Sequence, residues 1–271
     1  MRRHGSVRPP DLSCRLRPDN VAYDRMPTAA PAPDALLPLD TAWSTFPGRK
    51  AAVRTFVAGY CAARDRRDAP LHDSPDGHVV RFDAGMGRPS EHFVIEGAPA
   101  DGDGPFTVGA WITRYGAAPL PAALHGRTRR LSDEHFMAAD IGRLSGDDAL
   151  AQSLACHTPG DVDTFNAGAP FPPFQPNPAA FLFAHRLDGQ IAATARYGFA
   201  SARDIVVDRV GTADAYRRRG LAMQLLAAIV AHARQRGAQR VWLVSTEAGL
   251  PLYRAAGFTL LAPVAVDEVV A

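Results

Sequence analysis

Lysine is almost missing from this chain: Lys50 is the only one in 271 residues, so arginine carries nearly all of the cationic charge. Thirty basic residues against 28 acidic ones leave a formal net charge of only +2. The arginines are also interleaved with aspartate, as in ARDRRDAP. That removes the one-signed surface on which nucleic-acid binding depends, and no nucleic-acid partner is expected. Cysteine is scarce as well. Cys14, Cys61 and Cys156 are odd in number, far apart and without C-x-x-C spacing, so neither a disulfide framework nor a metal site is expected, and a reducing, cytoplasmic setting fits. The adjacency Cys156-His157 falls in a polar, turn-rich stretch and reads as incidental. No run approaches the roughly 18 to 20 apolar residues of a membrane span. The basic N-terminus has no apolar signal core behind it, so no membrane partner is expected.

What the chain does have is an ordinary supply of core: 46% of its residues are hydrophobic and 21% charged. Its length suits two units. Residues 1–35 mix arginine and proline without apolar periodicity and read as a disordered tail. Met26 offers an alternative translation start. Residues 36–125 read as a smaller helix-plus-sheet N-terminal α/β domain. Its helix is RKAAVRTFVAGYCAARDRR, where Val53, Phe56, Val57, Tyr60 and Cys61 recur at three-and-four spacing. β-prone runs follow at His78–Phe82, His92–Ile95 and Phe106–Tyr115. A boundary near residue 125 then opens a second unit, 126–271. The run SDEHFMAADIGRL predicts a helix capped by Ser132 or Asp133. The proline-rich stretch between Gly160 and Pro178, with Phe165, Phe171 and Phe174, predicts a loop without regular structure, packed on the core or lining a pocket. Asp188-Gly189 between two apolar runs predicts a two-residue hairpin, and Asp204–Thr212 the next strand.

The segment VDRVGTADAYRRRGLAMQLLAAIVAHARQRGAQRVWLV is the most informative. It reads as a β-branched strand, an arginine-rich turn, a helix from about Leu221 to Arg236 ended by left-handed Gly237, and a buried strand Val241–Ser245. At the turn Arg217, Arg218 and Arg219 precede Gly220, Leu221 and Ala222. Free backbone amides and the positive end of the helix dipole coincide there, which suits a phosphate. Gly220 and the small Ala222 leave room for a diphosphate to approach the backbone. His232, on the helix, reads as surface or half-buried.

R-x-x-G-x-A between strand and helix resembles the coenzyme A diphosphate loop of the GCN5-related N-acetyltransferase (GNAT) family, with Arg217, Gly220 and Ala222 at the motif positions. EAGLPLYRAAGF, Glu247 to Phe258, resembles the closing motif of the same family through Tyr253, Gly257 and Phe258. The resemblance covers about Leu131 to Val264. It implies an α+β fold: a mixed central sheet flanked by helices and splayed between its fourth and fifth strands. It implies acetyl-CoA as co-substrate, with the pantetheine arm partnered by the backbone of Val210, Gly211 and Thr212. It implies direct attack by the amine of a small or amino-acid-like acceptor, without a metal. Tyr253 takes the position of the general acid, packing of its short helix being the alternative. Asp208 is the candidate base, pairing with Arg209 or Arg203 being the alternative. Where the family often has asparagine, Ser245 and Thr246 stand as candidate pantetheine contacts. A non-catalytic acyl-CoA sensor of the same fold is the competing reading. For the N-terminal unit a cap or a degenerate second copy of the fold remains open, as does a homodimer.

Overall fold

A computed structural model describes Leu39 and residues 41–82, 87–97, 106–156, 159–168 and 180–271. The expectations for residues 1–35, for Cys14, Met26 and His157, and for Phe171 and Phe174 lie outside the described residues. Helix α1 (Arg49–Ala63) forms where the apolar spacing places it, and Val53, Phe56, Val57 and Cys61 are its buried stripe. Four strands follow: β1 (Leu71–Ser74), β2 (Gly77–Arg81), β3 (Ser90–Val94) and β4 (Trp111–Tyr115). The second half contains β5 (Thr128–Asp140), α2 (Asp148–Leu154), β6 (Ala155–Cys156), α3 (Pro159–Gly168), β7 (Ala180–Leu187), β8 (Gln190–Phe199), β9 (Asp204–Thr212), α4 (Leu221–Gln235), β10 (Arg240–Thr246), α5 (Leu250–Ala256) and β11 (Thr259–Val269).

All the described strands join one mixed sheet in the order β1-β2-β3-β4-β11-β5-β10-β9-β8-β7-β6. The last strand closes it: β11 pairs antiparallel with β4 on one side and with β5 on the other. The position near residue 125 therefore falls inside one continuous sheet, within a compact unit that runs Leu37–Ala271. None of the helices among the described residues is long and apolar enough to cross a membrane.

Two expectations of local structure are overturned. The run from Ser132 is strand β5, not a helix. It is hydrogen-bonded along both edges, to β10 and β11. Its side chains alternate, Phe136 and Ala138 entering one core and Met137 and Ala139 the other. A strand buried on both faces shows a continuous apolar run that sequence periodicity does not separate from a buried helix. The proline-rich stretch opens inside helix α3, which starts one residue earlier at Pro159, a first helical position where no N–H is needed. The hairpin signal holds: Asp188 (φ 52°) and Gly189 (φ 75°) both take the left-handed conformation that a two-residue turn requires.

The two faces of the sheet are covered differently. Helix α4 packs with α2 and α5 on one side, where Leu225, Ile229, Phe183, Val241 and Leu243 are core. Helix α1 covers the other side over Val206, Trp242, Phe136 and Val264. That second contact is very close. A Cβ on Gly198 would sit 2.6 Å from the Ala63 amide nitrogen, and one on Gly59 would sit 2.4 Å from a Val206 methyl. Glycine at both positions is what allows α1 to lie so near the strands.

Candidate active site

Strands β9 and β10 run parallel and pair only at Arg240↔Asp204, Val241↔Ile205 and Trp242↔Val206. Beyond that point β10 stays with β5 as far as Thr246↔Glu134, while β9 stays with β8 as far as Thr212↔Ala193. The two strands thus part. A bulge supplies the bend: the register of β8 and β9 shifts between Thr194 and Arg196, and Arg209 sits there at φ 56°. Val210, Gly211 and Thr212, half-buried, lie on the parted stretch of β9, and Ser245 and Thr246 on that of β10.

The parted strands lead to the N-terminus of α4. Gly220, its cap, is left-handed at φ 76° and Arg218 at φ 60°, so the backbone turns its amides outward. Among the described residues no acceptor is found for the N–H groups of Arg218 to Met223; the first helical bond is Gln224 N–H to the Gly220 carbonyl. Among the described residues a Cβ on Gly220 would meet nothing within 4 Å, so no described atom crowds the loop at that point. Arg217 pairs with Asp214 at 2.7 Å, and Arg219 stacks on Tyr216 with its carbon Cζ 5.2 Å from the ring centre. Arg218 makes no such contact among the described residues.

Tyr253 lies on α5, buried against Phe258. Burial, together with the Asp208 carboxylate, pushes its hydroxyl well above the ordinary phenol range, so it holds its proton at neutral pH. The Ser245 hydroxyl donates to the Thr246 carbonyl at 2.8 Å, and the Thr246 hydroxyl accepts from the Gly249 amide at 3.3 Å. His135 meets Glu247 through Nε2 at 2.6 Å, beside Ser245 in the sheet register.

Asp208 pairs with neither Arg209 nor Arg203. One carboxylate oxygen accepts from Arg64 at 2.9 Å, and the other accepts from Arg196 Nη2 at 2.6 Å and Nε at 2.8 Å. Burial opposes its charge, but the two guanidiniums hold its carboxyl below the usual carboxylate range. The same face of the sheet carries further polar groups that the sequence did not single out. Arg88, over Trp111 at 4.1 Å, donates to Glu91 at 2.6 Å and to the Tyr60 hydroxyl, and Glu91 accepts from Thr113 at 2.6 Å. Burial and the Glu91 carboxylate push the Tyr60 hydroxyl up to about 12. Glu134 accepts from Ser132 at 3.0 Å. The available sequence signal was an acid inside an apolar strand run, as in SEHFV and DEHFM. His232 is not on the surface: it is buried, with Nδ1 2.7 Å from the Tyr197 hydroxyl. Among the described residues no group of three or more His, Cys, Asp or Glu side chains is arranged to hold a metal ion.

Residues 150–258 match the model of the acetyltransferase (GNAT) family. Among solved structures, a GCN5-related N-acetyltransferase from Kribbella flavida is 17% identical with a TM-score of 0.57, over 81% of this chain and 95% of its own. A protein from Novosphingobium aromaticivorans assigned to the GNAT family is 21% identical with a TM-score of 0.51, over 80% and 96%. These likenesses concern the fold, and they reach beyond the residues that the family model covers. A comparison with curated proteins gave no match. The parted parallel strands, the left-handed glycine before α4 and the family match over the same segment converge: residues 150–258 are a domain of the acetyltransferase (GNAT) family.

Proposed function

We propose that the protein transfers an acetyl group from acetyl-CoA to a primary amine of a small or amino-acid-like acceptor, by direct attack in a ternary complex. The observation that carries this reading is the opening between β9 and β10, which ends at the unpartnered amides of Arg218 to Met223. A diphosphate is the ligand those amides suit. It brings the acceptors they lack and meets the positive end of the helix dipole, with Arg218 free to add a charge. The free edge of β9 at Val210, Gly211 and Thr212 offers backbone groups to the amide-bearing pantetheine arm, much as an added strand would take them.

With the thioester held there, the chemistry asked of the protein is positioning and proton transfer. Tyr253 is suited to protonate the leaving thiolate, because its raised hydroxyl keeps the proton until a stronger base forms beside it. Asp208 is poorly suited to be the base. Both of its oxygens are engaged by guanidiniums, so in this reading it holds Arg64 and Arg196 in place. Ser245 and Thr246 use their hydroxyls on the β10–α5 turn, which leaves their contact with pantetheine to their position on the parted edge. The test is release of free thiol from acetyl-CoA in the presence of primary amines. Amine-dependent release that falls about 10- to 100-fold in Tyr253→Phe supports the reading. Acetyl-CoA binding without turnover of any amine favours the non-catalytic sensor instead.

A further inference from the structure

Three carboxyl groups face the α1 side of the sheet near the opening, and they are not alike. Asp208 is held by Arg64 and Arg196, and Glu91 by Arg88 and Thr113. Glu134 has no arginine partner among the described residues; it accepts only from Ser132. Its place is set by register. It stands opposite Thr246, the last paired residue of β10, and two residues before Phe136, whose ring belongs to the α1-side core. It therefore lies on the same face as Asp208, on the far side of β10 from the opening, behind the parted end of that strand. The groups acting on it are Glu91 from β3, Arg64 from α1, and Ser132 and His135 from its own strand. Tyr115 of β4 feels Glu134 in turn. Burial, then the Glu91 carboxylate, raise its carboxyl above the ordinary range, against Ser132, Arg64 and His135. A second observation points to the same spot. The Tyr115 hydroxyl is fully buried with no hydrogen-bond partner among the described residues, an arrangement that costs about 1–3 kcal/mol if nothing ever engages it.

We infer that the acceptor, a small primary ammonium, enters on the α1 side and gives its proton to Glu134, with Tyr115 positioning it. This rests on the acetyl-transfer reading. The proton passes from R–NH3+ to the Glu134 carboxylate and on to water. The freed nitrogen lone pair forms the C–N bond. When the C–S bond breaks, its electron pair stays on sulfur, which takes the proton of Tyr253, and the surplus proton on the amide nitrogen restores the phenol. The sum is R–NH3+ and acetyl-CoA giving the N-acetyl amine, coenzyme A and one proton.

The experiment compares wild type, Glu134→Gln and Tyr115→Phe in the thiol-release assay from pH 6 to 10, with 1,4-diaminobutane, glucosamine and the amino acids as probes. Calorimetric acetyl-CoA affinity serves as the control for an intact fold. Glu134→Gln is expected to lose about 100-fold in kcat at pH 7 and to recover towards wild type as the pH approaches that of the free amine. Its acetyl-CoA affinity should not change. Tyr115→Phe should raise KM for the amine and leave kcat near wild type. Parallel pH profiles for wild type and Glu134→Gln overturn the proposal. Intact acetyl-CoA binding with no probe amine acetylated by wild type also overturns it, while sparing the cofactor site. Absence of acetyl-CoA binding removes the acetyl-transfer reading itself.

Discussion

The two faces of this sheet solve different problems with different materials. On the α4 side the interior is apolar apart from the His232–Tyr197 pair, and the feature that points to a ligand is backbone: unpartnered amides beyond a left-handed glycine. On the α1 side the features are side chains, an arginine-carboxylate network gathered from α1, β3, β4, β8 and β9 with Glu134 of β5 left outside its pairs. Backbone geometry is written in a few neighbouring residues. A side-chain constellation is written nowhere in particular until the chain has folded.

That contrast can be broken first at Asp208. Asp208→Ala leaves Arg64 and Arg196 uncompensated on the α1 side. It should lose about 3–5 kcal/mol in urea unfolding. Because its folded-state carboxyl is held below the ordinary range, the stability it contributes is complete above about pH 4. It fades as the pH falls through the depressed value, and Asp208→Asn should lack this part of the acid limb. A smaller loss, about 1–3 kcal/mol, is expected for Gly198→Ala. The new methyl would press on the Ala63 amide, 2.6 Å away, and on the Gly59 carbonyl, 2.9 Å away, both backbone atoms of α1 that cannot rotate aside. Glu134→Gln should go the other way. A carboxyl raised in the folded state makes ionisation a cost above its unfolded value. The amide should therefore raise the melting temperature at pH 7 and have no such effect at pH 4. The smallest effect sharpens the α4 side: Arg218→Ala should weaken acetyl-CoA about 2- to 5-fold at low salt, more than Arg219→Ala, whose side chain is already stacked on Tyr216.

The same division explains what the sequence revealed. The α1 stripe, the Asp188-Gly189 turn, the strand Asp204–Thr212 and the R-R-R-G-L-A turn into α4 are local signals, and each formed where it was read. Strand β5 misled because its helix-capping signals at Ser132 and Asp133 are local while its true partners, on β10 and β11, are 100 or more residues away. Helix α3 was hidden because its residues up to Gly168, which hold no proline after Pro159, were read together with the prolines from Pro170 onward. Arg64 meets Asp208 across 144 residues, so the sequence offered only the nearby Arg209 and Arg203 as partners of the candidate base. Glu134 lies in the same run that reads as a helix; only the pairing of β5 with β10 puts it opposite Thr246.

The most direct test of the cofactor site is calorimetric titration of the purified protein with acetyl-CoA, wild type against Gly220→Trp. The new indole would project into the open space in front of the amides, and its left-handed backbone adds strain of about 1 kcal/mol, small enough for the fold to persist. Saturable wild-type binding is expected, lost in a variant that still unfolds cooperatively. No wild-type binding, or equal binding by both proteins, would contradict it.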